Sequence, residues 1–299
     1  MHKTDAAQPK HHASSRCQIR QEELQGPLSG NTQSIMNNED PIFASSGSLT
    51  VRLARGAEEI TAAQRLRYEV FYEEMAAKPD DAAAQSRLDR DPYDDVCDHL
   101  LVLDADRSEG QVVGTYRLLR GEVAAAHRGF YSTDEYDLGP ILEQSAAHDL
   151  KLLELGRSCV HADYRTNFVI QLLWRGITQY ILHHKIGLLF GCASLHGVEP
   201  EKLAVPLSFL HQTCLAPTQW RARALNERFA KMDILDRPVE MKEALAQLPP
   251  LIKGYLRLGA YIGDGAVVDH QFNTTDVLII LLTENIPDRY TQHFERDDE

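Results

Sequence analysis

Cysteine is scarce in this sequence: five in 299 residues, at Cys17, Cys97, Cys159, Cys192 and Cys214, with no CxxC pair. That spacing argues against a zinc site and a disulfide framework, and it suits a reducing compartment. Cys159 and Cys192 fall inside apolar runs and read as core. No apolar run reaches the roughly 20 residues of a membrane-spanning helix. The N-terminus lacks the hydrophobic region of a secretion signal. Positive charge is in deficit: 31 Lys and Arg face 44 Asp and Glu, a formal net charge of −13. Nucleic acid is therefore not an expected partner, and an acidic partner would need a local basic patch. The expected location is the cytoplasm, with peripheral contact at the inner face of the membrane left open.

Residues 1–47 are polar and hold few large apolar groups, so a disordered arm is expected there. Beyond it the periodicity changes repeatedly. Strands are expected at 49–53, 99–103, 111–119, 152–160, 188–193 and 277–282, where apolar runs are short. A helix is expected from Thr61, where Thr61 and Gln64 fit a capping box. Its stripe is Ala63, Leu66, Arg67, Val70 and Phe71. A second helix carries Val169, Ile170, Leu173, Trp174, Ile177, Tyr180 and Ile181 at spacings of three and four. Further helices are expected over about 199–214, 219–231 and 248–259, and a turn at 263–266. Residues 76–98 read as an acidic, irregular loop. The divisions are the arm 1–47, a core 48–195, and a segment 196–299 that completes the same domain.

Charges stand where apolar residues belong. Glu154 and Arg157 interrupt the strand at 152–160, Arg67 lies on the apolar face of its helix, and Arg117 shares a strand face with Val113 and Leu119. A buried charge is costly unless it is paired or used. Alternation alone would send Glu154 and Arg157 to opposite faces. Gly156 between them suggests a bulge, which would bring both to one face and free backbone N–H groups from the ladder. A buried carboxylate beside free N–H groups suits acyl transfer to an amine, since it supplies a proton acceptor and an oxyanion site. A structural Glu–Arg ion pair reads the same residues equally simply. Arg67 and Arg117 need anions, and the acidic loop offers Asp91 and Asp94. His99 and Asp104 have HxxxxD spacing, but residues five apart on a strand face opposite ways, so the match is chance. Arg221, Arg223, Arg228 and Lys231 make the 219–231 segment the most basic helix expected in the chain. It is either a solvated face or a dock for an acidic partner.

Taken in order, Arg67-x-x-Val70-Phe71, Asp91-x-x-Asp94, Arg117 and Glu154-x-x-Arg157 resemble the acyl-homoserine-lactone synthases. A nearer resemblance, over roughly residues 48–290, is to the L-ornithine Nα-acyltransferases of ornithine-lipid synthesis. It rests on Glu154-Leu-Gly-Arg-Ser158, Leu173-Trp-Arg-Gly-Ile177, Gly191-Cys-Ala-Ser194, Leu248 to Ala260, and Asp269-x-x-Phe-Asn-Thr-Thr-Asp276. Some hemolysin-like proteins share the C-terminal block. The resemblance implies a GNAT-like α/β (α+β) fold: a central mixed, mostly antiparallel twisted sheet flanked by helices.

It also implies a reaction. A (3-hydroxy)fatty acyl chain passes from acyl carrier protein to the α-amine of L-ornithine, giving a lyso-ornithine lipid. No bound cofactor and no metal are implied. The implied catalytic group is Glu154, Arg157 and Ser158, with backbone N–H groups near 158–160 holding the oxyanion. The implied substrate-binding group is Arg67, Phe71, Asp91, Asp94, Arg117 and Trp174. Arg117 or Arg157 would hold the ornithine carboxylate, and Asp91 and Asp94 would orient Arg67 or bind the δ-ammonium. Arg221, Arg223, Arg228 and Lys231 would dock the carrier protein. An α-amine loses its proton more readily than a side-chain amine by roughly 2–3 pK units, which favours Nα. The stretch 163–168 has no glycine where acetyl-CoA enzymes place a pyrophosphate loop, so a phosphopantetheine arm is the expected donor. The rival readings are a lactone synthase consuming S-adenosylmethionine and a non-enzymatic, membrane-active protein.

Overall fold

The computed structural model describes residues 42–107 and 111–286. The expected arm lies outside these residues except at its end. There Ile42–Ser46 forms strand β1 against β2 (Leu49–Leu53), so the folded part starts before residue 48. The polar tail beyond residue 287 also lies outside them.

Helix α1 spans Ala57–Tyr68 and continues as a π-helical turn, Glu69–Glu74. It starts one turn before the expected cap. Thr61 sits inside it and donates from Oγ1 to the Ala57 carbonyl. The acidic stretch is less irregular than expected. Asp80 caps a short helix, α2 (Asp81–Ser86), by accepting from the Ala83 N–H. Strands β3 (Asp98–Asp104) and β4 (Gln111–Arg120) pair antiparallel. A register shift in this pair, between Val102 and Leu103, turns Val113 away from the face it was expected to share with Arg117.

After α3 (Gly121–Ala126) come a 3-10 turn at Tyr131–Asp134, the short strand β5 (Tyr136–Asp137) and α4 (Gly139–Ala147). Strand β6 (Lys151–Val160), helix α5 (Asn167–His184) and strand β7 (Ile186–His196) then form the expected strand–helix–strand unit. The C-terminal part holds α6 (Ala204–Cys214), β8 (Arg223–Ala224), β9 (Phe229–Ala230), α7 (Met241–Gln247), α8 (Pro250–Arg257), β10 (Tyr261–Asp269) and β11 (Thr274–Leu282). The helix expected over 219–231 is absent; that stretch forms β8, a turn and β9. Its Arg and Glu residues repeat at helical spacing, but its buried residues Trp220, Ala222 and Ala224 alternate at the period of a strand. The turn expected at 263–266 is a register shift inside β10.

The strands form one sheet in the order β1-β2-β3-β4-β6-β7-β11-β10-β8-β5, with β9 on β10. It is mixed and mostly antiparallel. The parallel pairs are β6 with β7 and β8 with β10. One face buries α5, α6 and α8 through Leu173, Ile177, Phe209, Ile252 and Leu256. The other receives α1 through Leu66 and Val70, and α3 and α4 through Ala124 and Ile141. The described residues contain no helix long and apolar enough to cross a membrane.

Candidate active site

Strands β6 and β7 run side by side only as far as Glu154 opposite Phe190. Gly191 marks the last close approach: a Cβ there would meet the Leu155 carbonyl oxygen at 2.1 Å. Beyond it β7 continues against β11, β6 continues against β4, and a cleft opens between them. Gly156, Arg157, Ser158, Cys192 and Ala193 line its two edges, with Tyr116, Leu251, Tyr255 and Ile279 behind.

The expected bulge is present, one residue later than the glycine. Arg117 pairs with Gly156 and Thr115 with Cys159, so Arg157 and Ser158 together oppose Tyr116. Arg157 takes the bulge in a left-handed conformation, φ 48°, and Gly156 has no positive φ. As anticipated, Glu154 and Arg157 end on one side of the sheet. Glu154 accepts from the Tyr131 N–H, while the Arg157 guanidinium lies over the Tyr131 ring at 5.0 Å. Cys159 and Val160 are back in register with β4, which leaves the bulge itself, at Ser158, outside the ladder.

Three arginines and three aspartates interlock behind the bulge. Arg67 is fully buried and grips both oxygens of Asp94, at 2.8 and 2.9 Å, with Nε 2.7 Å from Asp89. Arg117 donates to Asp91 at 2.7 Å. Arg157 reaches Asp89 at 3.2 Å and Asp91 at 3.3 Å. Burial alone would raise the Asp94 carboxyl, but the Arg67 hydrogen bonds and charge, with Arg117 beyond, hold it at about 2. Asp94 thus engages Arg67, whereas Asp91 engages Arg117 and Arg157 and not Arg67. Of the three arginines, Arg157 is the most open to solvent, at 15% against 0 and 4%. The Arg157 guanidinium also lies over the Phe272 ring, at 4.8 Å, and Phe71 meets Phe272 edge-on at 5.8 Å. Phe71 therefore touches the site through Phe272. Trp174 stands edge-on to Tyr255 at 5.0 Å, behind the cleft wall.

Glu154 is the buried carboxylate that the sequence leads one to expect. It is buried and accepts from the Tyr131 N–H, the Ser132 N–H and the Ser132 hydroxyl, at 2.7, 2.7 and 2.6 Å. It does not line the cleft. Burial raises its pKa, and the Ser132 and Tyr131 hydrogen bonds offset only part of the rise.

On the opposite side of the sheet from Glu154 the cleft is apolar, with three hydroxyls. Tyr116 and Tyr255 stand 3.2 Å apart, and Ser158 lies beside Tyr116. Burial first keeps both tyrosines protonated.

The four basic residues expected to dock a partner do not share a face. Arg221 turns back to the Ala216 carbonyl at 2.7 Å, Arg223 lies 3.3 Å from Asp264, and Arg228 reaches toward Glu135 at 3.8 Å, while Lys231 is exposed. His99 and Asp104 are equally separate: His99 donates to the Asp94 carbonyl and Asp104 accepts from Tyr164. Reading the sequence also missed Asp89, Tyr131, Ser132 and Glu135. Asp89 had a visible signal, an acidic loop near arginines that lacked anions. The others had none, since a loop residue shows its partner only once the sheet has formed.

At the start of α5, Thr166 caps the helix by accepting from the Val169 N–H, and Arg165 turns back to the Val160 carbonyl. The first turn carries its own cap and no glycine-rich cradle.

A family model described as an acetyltransferase (GNAT) domain matches residues 66–175, which include Arg67 and Trp174. The L-ornithine N(alpha)-acyltransferase of Agrobacterium fabrum is 48% identical over 89% of this chain and 92% of its own length. The enzyme of that name from Brucella abortus is 48% identical over 86% of this chain and 92% of its own. Among solved structures, FeeM, an N-acyl amino acid synthase from uncultured soil microbes, overlaps 79% of this chain and 91% of its own at 12% identity, with a TM-score of 0.45. The fold is a GNAT-like acyltransferase fold, and the chain belongs to the L-ornithine Nα-acyltransferase family.

Proposed function

We propose that this protein transfers a (3-hydroxy)fatty acyl chain from acyl carrier protein to the α-amine of L-ornithine, releasing a lyso-ornithine lipid. The observation that carries the reading is the cleft between β6 and β7 in a chain of this family. Its walls divide into an apolar side and a side bearing Arg157, with Glu154 buried behind that side. The acyl chain lies against Leu155, Leu251 and Ile279. The thioester carbonyl sits at the bulge, where the Ser158 N–H supplies the oxyanion contact. Arg157, in contact with the Tyr131 and Phe272 rings, takes the ornithine carboxylate.

Glu154 accepts the proton lost by the α-ammonium through a water, because its carboxylate stands behind the cleft. Three donors leave about one of its four acceptor positions open. Tyr116 or Tyr255 returns a proton to the departing thiolate. The self-capped first turn of α5 supports a phosphopantetheine arm over a pyrophosphate-bearing donor.

The test incubates purified protein with 3-hydroxyacyl-acyl carrier protein and L-ornithine, and looks for N-acyl-ornithine by mass spectrometry. Parallel samples hold lysine, S-adenosylmethionine or Glu154→Gln protein. Acyl-ornithine that falls about 100-fold in the variant is the expected result, in line with the loss of a general base. No product with any amine, from folded protein and a verified donor, would overturn the reading.

A further inference from the structure

A second group of acids stands on the Glu154 side of the sheet, and the chemistry above leaves it unused. Glu135, Asp269 and Asp276 each place a carboxylate oxygen within 4.8 Å of the other two. Asp276 lies in β11 opposite Ser194, and on this face Leu278 pairs with Cys192. The Cys192 thiol donates to Glu135 at 3.1 Å, and Cys192 also lines the cleft. From the other direction, Asp269 accepts from the Gln271 and Phe272 N–H groups at 2.7 and 2.9 Å, and Phe272 is the ring over Arg157. The acids are thus joined to the cleft through Cys192 and to the arginine through Phe272.

This cluster asks for a cation. Asp276 is 93% buried, since 7% of it is exposed. Its Oδ1 accepts no hydrogen bond among the described residues. Ser194 and Thr274 hydroxyls lie beside the same carboxylate without filling that oxygen. Arg228 is 46% exposed and stays 3.8 Å from Glu135. Burial, then the charge of Glu135, pushes the Asp276 carboxyl up to about 7, as expected where carboxylates share a site without a counter-ion. A single ammonium donating three hydrogen bonds of about 2.8 Å at tetrahedral angles sets its acceptors about 4.6 Å apart. That span falls inside the 4.8 Å within which the three oxygens lie.

We infer that Glu135, Asp269 and Asp276 form the subsite for the terminal ammonium of a diamino-acid acceptor. The inference rests on ornithine being the acceptor, as proposed above. With the carboxylate on Arg157 and the far ammonium in the acid cluster, the amino acid is held at both ends. The α-amine between them is presented to the cleft. A monoamino acid of equal length leaves the three carboxylates facing each other, and so is rejected.

The deciding comparison is L-ornithine against L-norvaline, which has the same carbon skeleton without the δ-amine. In the wild-type protein kcat/KM should favour ornithine by about 100-fold or more, as a site built around a substrate N–H group does. In Asp276→Asn and in Glu135→Gln the ornithine-to-norvaline ratio should fall by about 10-fold or more. A wild-type ratio near one, or a ratio unchanged in both variants, overturns the inference. Calorimetric titration of the same proteins with both amino acids, and with Mg²⁺ and Ca²⁺, keeps it separate from the acyl-transfer reading. If no acyl transfer is seen, ornithine binding that norvaline lacks and Asp276→Asn loses still supports the subsite. Absence of ornithine binding, or saturable metal binding in its place, sinks it.

Discussion

Gly191 and Leu155 meet backbone to backbone, with no room for even one carbon between the Gly191 Cα and the Leu155 carbonyl oxygen. This contact joins β6 and β7 immediately before they part. In Gly191→Ala a Cβ would stand 2.1 Å from that oxygen, so one strand must move. We expect a loss of about 2 kcal/mol or more of stability from the overpacking. Acyl transfer should fall even in the fraction that folds. Chemical denaturation and turnover measured on the same sample check both.

The Arg67–Asp94 pair makes a second prediction. Removing the Asp94 charge leaves the buried Arg67 with Asp89 as its one close carboxylate, at a cost of about 3 kcal/mol. Asp94→Asn should therefore unfold at much lower denaturant than the wild type. The pH dependence has a definite sign. The folded Asp94 pKa is depressed to about 2, below its unfolded value, so its contribution is complete above the unfolded value. It disappears as pH falls toward 2. Stability measured from pH 5 down to pH 2 should drop in the wild type, and less steeply in Asp94→Asn.

Arg157→Lys keeps the charge but loses the planar guanidinium that meets the Tyr131 and Phe272 rings. We expect KM for the amino acid to rise about 10-fold or more, because two-point pairing with a carboxylate is lost. KM for the acyl donor should stay nearly constant. Equal changes in both constants would remove Arg157 from the carboxylate-binding role.

Asp276 behaves oppositely to Asp94. Its folded pKa is raised to about 7, so the contribution of its neutral form is complete below the unfolded value and is lost as pH rises through 7. Without a bound cation, Asp276→Asn should be more stable than the wild type at pH 8, by about 2 kcal/mol. The two should converge near pH 4. Thermal melts across that range check the crossover. In the wild type, ornithine affinity should increase as pH rises through 7 and the carboxylate ionises.

Much of the frame was legible because apolar runs such as the one in β11 are too short for a helix and too apolar for a loop. Arg67, Arg117, Glu154 and Arg157 were legible as anomalies, being charges in such runs. The bulge was foreseen from Gly156, yet it falls on Arg157. The glycine made the local argument, while the aspartates and rings around Arg157 hold the backbone in its strained form. Glu135 and Asp276 were not legible as a pair. They lie far apart in the chain and meet only because β11 sits beside β7 while the Tyr131–Asp134 turn crosses below Cys192. The basic segment 219–231 misled for the opposite reason, since its charges repeat at helical spacing while its buried residues alternate as in a strand.

The division of the cleft into an apolar side and a charged side has a kinetic consequence. On the proposed reading, acyl donor and amino acid approach the bulge from opposite sides of the sheet, and neither must leave before the other binds. Both occupy the protein together, and no acylated protein forms between two half-reactions. Initial rates plotted in double-reciprocal form against one substrate, at several fixed levels of the other, should give intersecting lines and not parallel ones.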